Sequence, residues 1–381
     1  MGESGSGRQA MVVGGTGPTG PDVVAGLLDR GYRTTIFHSG KHEVPLPGDV
    51  EHIHGDPHFP ETIADALGSR AFDVVILQYG RLRHLAEHLR GRAGHVVAIG
   101  GMNSPLAGPA DKRWGALGRP AVLREEDRIL LDEPDEPSKL GFKIAEASRR
   151  LFELREAGDF RATYIVYPTL YGPRQPGCSE WHVVRRLRDG RTRLVLPDGG
   201  LRLESRGYVG NVALAPLLAL DRPDVSDGKT YVVTERDIYT TRQRVEFIAS
   251  QMGRELEIVD MPYALATPAH PFYRLGGQHR VGLADRVRTE LGYDDRYDTA
   301  VALAATVDWL LATPDAISEI ERQLADPFDY AFEDELIGWW AAASGTAPSP
   351  ASGGYQYSHI YRHPKQVNED WRPGPQQADR S

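Results

Sequence analysis

The chain contains a single cysteine, Cys178, among 381 residues. It can form no internal disulfide and no cysteine-based metal cage. Cys178 has no evident helix start or paired histidine beside it, and it reads as a passive thiol rather than a nucleophile. Cationic excess is also missing, because 44 Lys plus Arg stand against 53 Asp plus Glu, for a formal charge of -9. Such a balance lacks the basic footprint for nucleic-acid or anionic-membrane partners. No apolar run approaches the length of roughly 20 residues that crosses a bilayer, and the start MGESGSGRQA lacks the features of a signal peptide. The expectation is a soluble, cytoplasmic protein with a small-molecule substrate and no membrane or nucleic-acid partner.

What the chain does have is hydrophobic content of 40%, enough for one large domain or two ordinary ones. From AMVVGGTGPTGPDVVAGLLDRGYRTTIFHSGK onward, apolar strands alternate with amphipathic helices. VEHIHGD, FDVVILQYG and GHVVAIGG continue the pattern, which predicts a parallel, doubly wound α/β sheet of the Rossmann type. Residues 102 to 137 lose this periodicity and read as a functional loop, its acidic groups near Glu125 and Asp132 forming a solvated face. Beyond RATYIVYPTLYGP the strands and helices interleave less regularly, as in a smaller substrate lobe. The expected organisation is a leader over 1–9 and a sheet domain over 10–170. Segments near 207–235 return to that domain, a lobe covers 171–343, and a disordered tail or arm covers 344–381.

GGTGPTG places Gly14, Gly15, Thr16, Gly17, Pro18, Thr19 and Gly20 between a strand and a helix, with Gly15, Gly17 and Gly20 in the spacing Gly-x-Gly-x-x-Gly. Glycine there allows unusual backbone angles and close approach to a pyrophosphate, and the helix start offers N–H groups and a positive dipole end. The turn is the predicted dinucleotide site. An acidic residue ending the second strand would grip the ribose hydroxyls of NAD; His38, Ser39 and Lys41 stand there instead. Small donors and a cation suit a 2'-phosphate, so NADP is favoured over NAD. Asp56 is placed either to meet the adenine amino group or to lead the next helix. Gln78 and Tyr79, at the end of the fourth strand, complete the expected cofactor set. His52, His54 and His58 invite a metal reading, but His52 and His54 share a strand face and no ligand set completes a cage, so no metal is expected.

With the glycine turn, Asp56, VVAIGG, KLGFKIAEA and YPTLYGP in that order, the chain resembles the extended short-chain dehydrogenase/reductase superfamily, and within it the NAD-dependent epimerase/dehydratase family. The resemblance spans roughly residues 10 to 312. It implies an NAD(P)-binding domain, a C-terminal substrate lobe and a possible homodimer through a helix pair. It also implies a Tyr-x-x-x-Lys motif on the helix after the fifth strand, with Tyr as acid/base and Lys on the nicotinamide ribose. Here Lys143 matches the family lysine, and Lys139 falls where the tyrosine would be. The Ser/Thr position near the fifth strand is not clearly filled, with Asn103 and Ser104 close by. Pro168 and the Tyr171-Gly172-Pro173 turn match the segment shaping the nicotinamide end.

Beside a fixed positive charge, Lys139 would have a lowered pKa and could serve as a base or amine nucleophile. The alternative is a solvent-facing Lys139 neutralised by nearby acids, with the chemistry carried by Tyr171 or another of Tyr79, Tyr167 and Tyr208, or lost. Arg174, Arg202 and Arg206 fall where related proteins hold a substrate phosphate or carboxylate, and Tyr208 joins them as a substrate-side candidate. The implied activity is an NAD(P)-dependent oxidoreductase, or an epimerase or dehydratase, acting on a polar small molecule. The alternatives are a dinucleotide sensor, an RNA-binding module, or a redox-neutral lyase or isomerase.

Overall fold

A computed structural model describes residues 7–41, 43–78, 82–101, 121–125, 139–273 and 277–347. In its first half, strand β1 (Gln9–Val13), helix α1 (Gly20–Asp29), β2 (Arg33–His38), β3 (Glu51–His54), α2 (Pro60–Leu67), β4 (Phe72–Gln78), α3 (Leu82–His88) and β5 (Ala93–Gly101) alternate as the sequence predicts. β6 (Val122–Leu123), α4 (Lys139–Glu156) and β7 (Arg161–Tyr167) follow. RATYIVYPTLYGP, which reads as a strand running into a turn, is broken at Pro168, and its far part is a separate short strand, β8 (Thr169–Tyr171). Proline lacks the N–H that a continuous ladder needs.

The remainder runs α5 (Glu180–Arg188), β9 (Arg193–Pro197), β10 (Arg206–Tyr208), α6 (Val209–Val212), α7 (Leu214–Asp221), α8 (Pro223–Ser226), β11 (Lys229–Val232), α9 (Thr241–Gln251), β12 (Glu257–Met261), β13 (Val281–Gly282), α10 (Asp285–Leu291), α11 (Thr299–Ala312) and α12 (Pro314–Leu324). Residues 330–381 cluster as a second unit, whose described part contains α13 (Tyr330–Ser344).

Seven strands form one sheet in the order β11-β7-β5-β4-β1-β2-β3, and every pairing in it is parallel. β1 is central, and its side chains alternate between two cores. Ala10 and Val12 pack with Val23, Val24 and Leu27 of α1 on one face. Met11 and Val13 pack with Ile63, Leu85 and Leu151 on the other. Coverage of both faces explains why MVV is apolar without interruption. Emptying such a position, as in Leu27→Ala, costs about 2–5 kcal/mol.

A third core joins α5, α9, α11 and α12 through Trp181, Val184, Ile248, Leu310 and Leu324. Trp181 is fully buried, and its indole N–H donates to Glu321 at 2.9 Å. The start of α9 is fixed by a reciprocal cap in which Gln243 N–H donates to the Thr240 hydroxyl and Thr240 N–H donates to the Gln243 side chain. Small parallel pairs, β9 with β12, β8 with β10 and β6 with β13, tie this region together.

Among the described residues no single helix is long and apolar enough to cross a bilayer. Glu125, expected on a solvated face, is instead buried, and its carboxylate accepts the Val232 N–H at 3.1 Å. That bond serves an edge-strand amide, which a reading of charge runs could not anticipate. Asp127, Asp132 and the tail beyond residue 347 lie outside the described residues.

Two buried histidines set an acid limit on this fold. His95 Nε2 lies 2.9 Å from the Thr163 hydroxyl, which donates to the Ser226 carbonyl. Burial pushes His95 down from 6.5 to about 4. His182 stacks on Phe272, and burial followed by the Arg186 charge lowers it to about 4 despite Asp326. A lowered folded-state pKa means the unfolded chain binds the extra protons. The associated stability is complete above pH 6.5 and is lost as pH falls toward 4. His95→Gln should therefore narrow the stability gap between about pH 7 and pH 4.5 by roughly 2–3 kcal/mol in urea unfolding. An unchanged gap would show that His95 titrates in the fold as it does in the unfolded chain.

Candidate dinucleotide-binding site

The glycine turn joins the central strand to α1 at the carboxyl ends of the sheet strands. Its four glycines are held there by different constraints. Gly14 has φ +81°, and its N–H donates to the Phe37 carbonyl of β2 at 3.0 Å. A Cβ on Gly15 would come within 2.7 Å of Ile36 Cγ2, and one on Gly20 within 1.9 Å of the Gly15 carbonyl oxygen. Gly17 differs. Among the described residues, a Cβ there would meet only the Gly14 carbonyl oxygen at 3.5 Å and Gln78 Oε1 at 3.7 Å, which are ordinary contacts.

Thr16 and Thr19 are nearly buried beside the turn, and Thr19 makes no side-chain cap on α1. Pro21 occupies the first turn of that helix, where the missing N–H costs nothing. The carbonyl of Pro18 accepts from Arg174 at 3.3 Å, and the same guanidinium reaches Asp22 at 3.4 Å. Arg174 thus lies against the glycine turn. Its backbone has φ +67°, a costly conformation for a residue with a side chain.

At the end of β2 the predicted residues separate. Ser39 and Lys41 are exposed, whereas His38 is 4% exposed and neither of its ring nitrogens has a hydrogen-bond partner. Such an unsatisfied group costs about 1–3 kcal/mol. Burial lowers the His38 pKa despite Glu43, so the ring is neutral near pH 7 and offers no cation to a phosphate. Asp56 Oδ1 accepts the His58 N–H at 3.0 Å, which organises the approach to α2. Gln78 is buried beside Gly17, and Tyr79 lies outside the described residues.

α4 begins at Lys139, and Lys143 follows one turn later with its side chain exposed. The side chain of Lys139, together with Asn103 and Ser104, lies outside the described residues.

Tyr171 does not occupy an acid/base position. It is fully buried, its hydroxyl donates to Glu235, and burial raises its pKa well above 10. Tyr167 is committed likewise, donating to the Val212 carbonyl at 2.9 Å. Cys178 is buried, and burial pushes its thiol well up, as a passive residue requires. Pro168 packs where a Cβ on Gly207 would come within 3.0 Å. Tyr208 is half-buried, 5.6 Å from the Tyr171 ring centroid on one side and 5.6 Å from that of Tyr297 on the other.

Paired β8 and β10 form a bridge from the turn to an arginine cluster. Arg206 donates to Glu180 at 2.7 Å and to the Ser179 hydroxyl at 3.0 Å, and its other amino group lies 3.5 Å from Glu204. Arg202 and Arg280 each reach Glu204 at 3.3 Å, and Arg244 reaches Glu180 at 3.2 Å while covering the Tyr171 ring. Burial opposes the charges on Glu180 and Glu204, yet the surrounding guanidiniums outweigh it and hold both carboxyls below the usual range. A cavity of about 20 Å³ remains among these residues, room for about one water.

The sequence reading placed Arg202 and Arg206 on a substrate anion, and the structure gives them buried carboxylate partners instead. Glu180, Glu204, Arg244 and Arg280 were missed because no local pattern marks an ion pair between residues distant in the chain.

Comparison with solved structures fits this geometry. A dTDP-glucose 4,6-dehydratase of Bacillus anthracis in complex with NAD superposes with TM-score 0.61 at 17% identity, covering 81% of this chain and 98% of the other. A UDP-glucose 4-epimerase of Thermotoga maritima with UDP-glucose gives 0.62 at 17% identity over 80% and 99%. The Thermus thermophilus epimerase complex with NAD gives 0.57 at 19% identity over 80% and 99%. The chain has the fold of these solved dehydratases and epimerases. No protein-family model and no curated protein matches the sequence.

Within that fold the arginine cluster offers a direct test of its own energetics. Arg206→Met leaves Glu180 and Glu204 buried with one cation fewer, and should destabilise the protein by about 3 kcal/mol. Urea unfolding would measure it; a loss below about 1 kcal/mol would mean that Arg202, Arg244 and Arg280 suffice alone.

Proposed function

We propose that the chain is an NAD(P)-dependent enzyme of the oxidoreductase or epimerase/dehydratase kind, acting on a polar small molecule. The environment of Gly17 carries this reading. Gly14, Gly15 and Gly20 are explained by the chain's own backbone and packing, whereas nothing among the described residues requires glycine at 17. A residue kept small toward open space, in a turn that opens a helix, suits a pyrophosphate lying against the backbone. Arg174, leaning on Pro18, adds a cation at the rim of the same turn. That solved relatives in fold carry NAD, in their own descriptions, supports the same cofactor class.

NADP is the proposed form, because Ser39 and Lys41 are the exposed groups just beyond β2 and no acid ends that strand. Glu43, near His38 and His54, is the observation that favours NAD.

The bound dinucleotide would accept and return hydride. Lys143, on the exposed face of α4, would hold the nicotinamide ribose. Lys139 would move the proton, its ammonium form disfavoured by the positive charge one turn away.

Calorimetry with NADPH and NAD on Gly17→Ala separates binding from folding. The melting temperature should stay within a degree or two, since ordinary contacts await the new methyl, while cofactor affinity should fall by at least about tenfold, roughly 1.4 kcal/mol. Full affinity in Gly17→Ala, or no binding of either dinucleotide to the unaltered protein, would overturn the reading. Once turnover is found, Lys139→Ala should lower kcat by about 10²–10⁴-fold, the range of general acid–base catalysis. Lys139→Tyr should recover part of it with a higher pH optimum. Equal activity in all three proteins would dismiss Lys139 as the proton-transfer group.

A further inference from the structure

The three histidines that end β2 and line β3 acquire a fourth partner in the fold. In the parallel register of β2 with β3, His38 lies opposite His54 and Ile36 opposite His52. His52 and His54 are two residues apart and share one strand face. All three imidazoles therefore project from the same face at one edge of the sheet, with ring centroids 4.8 to 6.3 Å apart. The segment after β2 then brings Glu43 over them.

One Glu43 oxygen lies 3.6 Å from His38 Nε2 and 3.3 Å from His54 Nε2, and the other lies 3.5 Å from His52 Nδ1. One ligand atom from each of the four residues falls within 4.8 Å of the other three. The sequence reading set metal aside because no carboxylate completed a cage; Glu43 supplies one from outside the histidine motif.

We infer that His38, Glu43, His52 and His54 form a binding site for a divalent transition-metal cation of the zinc class. Bonds of about 2.0–2.2 Å to a tetrahedral ion set neighbouring ligand atoms roughly 3.3–3.6 Å apart. The two separations from one Glu43 oxygen, 3.6 Å to His38 Nε2 and 3.3 Å to His54 Nε2, have this spacing. The longer separations, up to 4.8 Å, close by movement of the exposed His54 side chain, with Glu43 turning one oxygen toward all three rings.

Three imidazoles and one carboxylate suit zinc or its late first-row neighbours, and exclude magnesium or calcium, which take oxygen ligands. The ion gives His38 Nε2 a direct bond, where the protein offers only Glu43 beyond hydrogen-bond distance. It also pins the segment after β2 to β3, at the strand end flanking the glycine turn. No step of the proposed dinucleotide chemistry is needed for this site, so the two readings stand or fall separately.

Titration of the full chain, without an added histidine tag and after chelator treatment, with Co²⁺ provides the test. Binding of one ion per chain should produce the intense visible bands of four-coordinate cobalt, and Zn²⁺ should erase them. His54→Ala and Glu43→Gln, both at exposed positions, should each lower Co²⁺ affinity by about a hundredfold, the upper end of what even an outer-shell change costs. Their melting temperatures without metal should match the unaltered protein. His58→Ala and the double variant His359→Ala/His363→Ala should bind as the unaltered protein does. Cobalt spectra lacking the four-coordinate bands, or His54→Ala binding as tightly as the unaltered protein, would overturn the site.

Discussion

The structure depends on the burial of β1. This strand is hydrogen-bonded on both edges and packed on both faces, so the chain leaving it must turn sharply without burying unsatisfied backbone. The glycine turn meets that demand through the Gly14 N–H on Phe37, the positive φ of Gly14 and the contact of Gly20 with the Gly15 carbonyl. Every later βα connection adds a strand to an arrangement already set at this point. The turn is thus a structural necessity before it is a binding site, and only Gly17 exceeds what folding requires.

A second constraint holds the region after β7. Its strands are two to five residues long, too short to specify their own pairing, and they are fixed by buried charge. Glu180 and Glu204 are neutralised by arginines drawn from α9, β10 and the chain around residues 202 and 280. The bridges of Glu180 to Arg206 and Arg244 and of Glu204 to Arg280 cross 26 residues or more, so the cluster is complete only when the whole region has assembled. Ion pairs of this kind contribute little net stability compared with an apolar core, but the loss of any one partner is costly. Geometry, more than energy, is what they supply: they keep β8 and β10 paired between the glycine turn and the cluster.

The same contrast explains what could be read from sequence. The sheet, its order of elements and the glycine turn were legible because each is encoded within about 30 residues by alternation, helix period and turn chemistry. Pro168 announced a break that the apolar run around it concealed. Glu125, Glu43 and the partners of Arg206 were illegible, since a carboxylate in a charge run or a loop looks the same whether it meets solvent, an edge-strand amide or a histidine. The contact of Arg174 with the glycine turn was likewise illegible, because its backbone takes a conformation that residue type alone would not suggest.

Burial also narrows where the chemistry can reside. Tyr167 and Tyr171 spend their hydroxyls on Val212 and Glu235, Cys178 is sealed, and His95 and His182 are packed neutral. Among the described tyrosines of the β7–β10 strip, only Tyr208 keeps a partly exposed ring, and burial raises its pKa as well, away from the range useful for proton transfer near neutrality. An amine responds oppositely, because desolvation and a neighbouring cation both lower the pKa of lysine toward that range. That opposite response is what recommends the proposed role of Lys139 over any of these phenols.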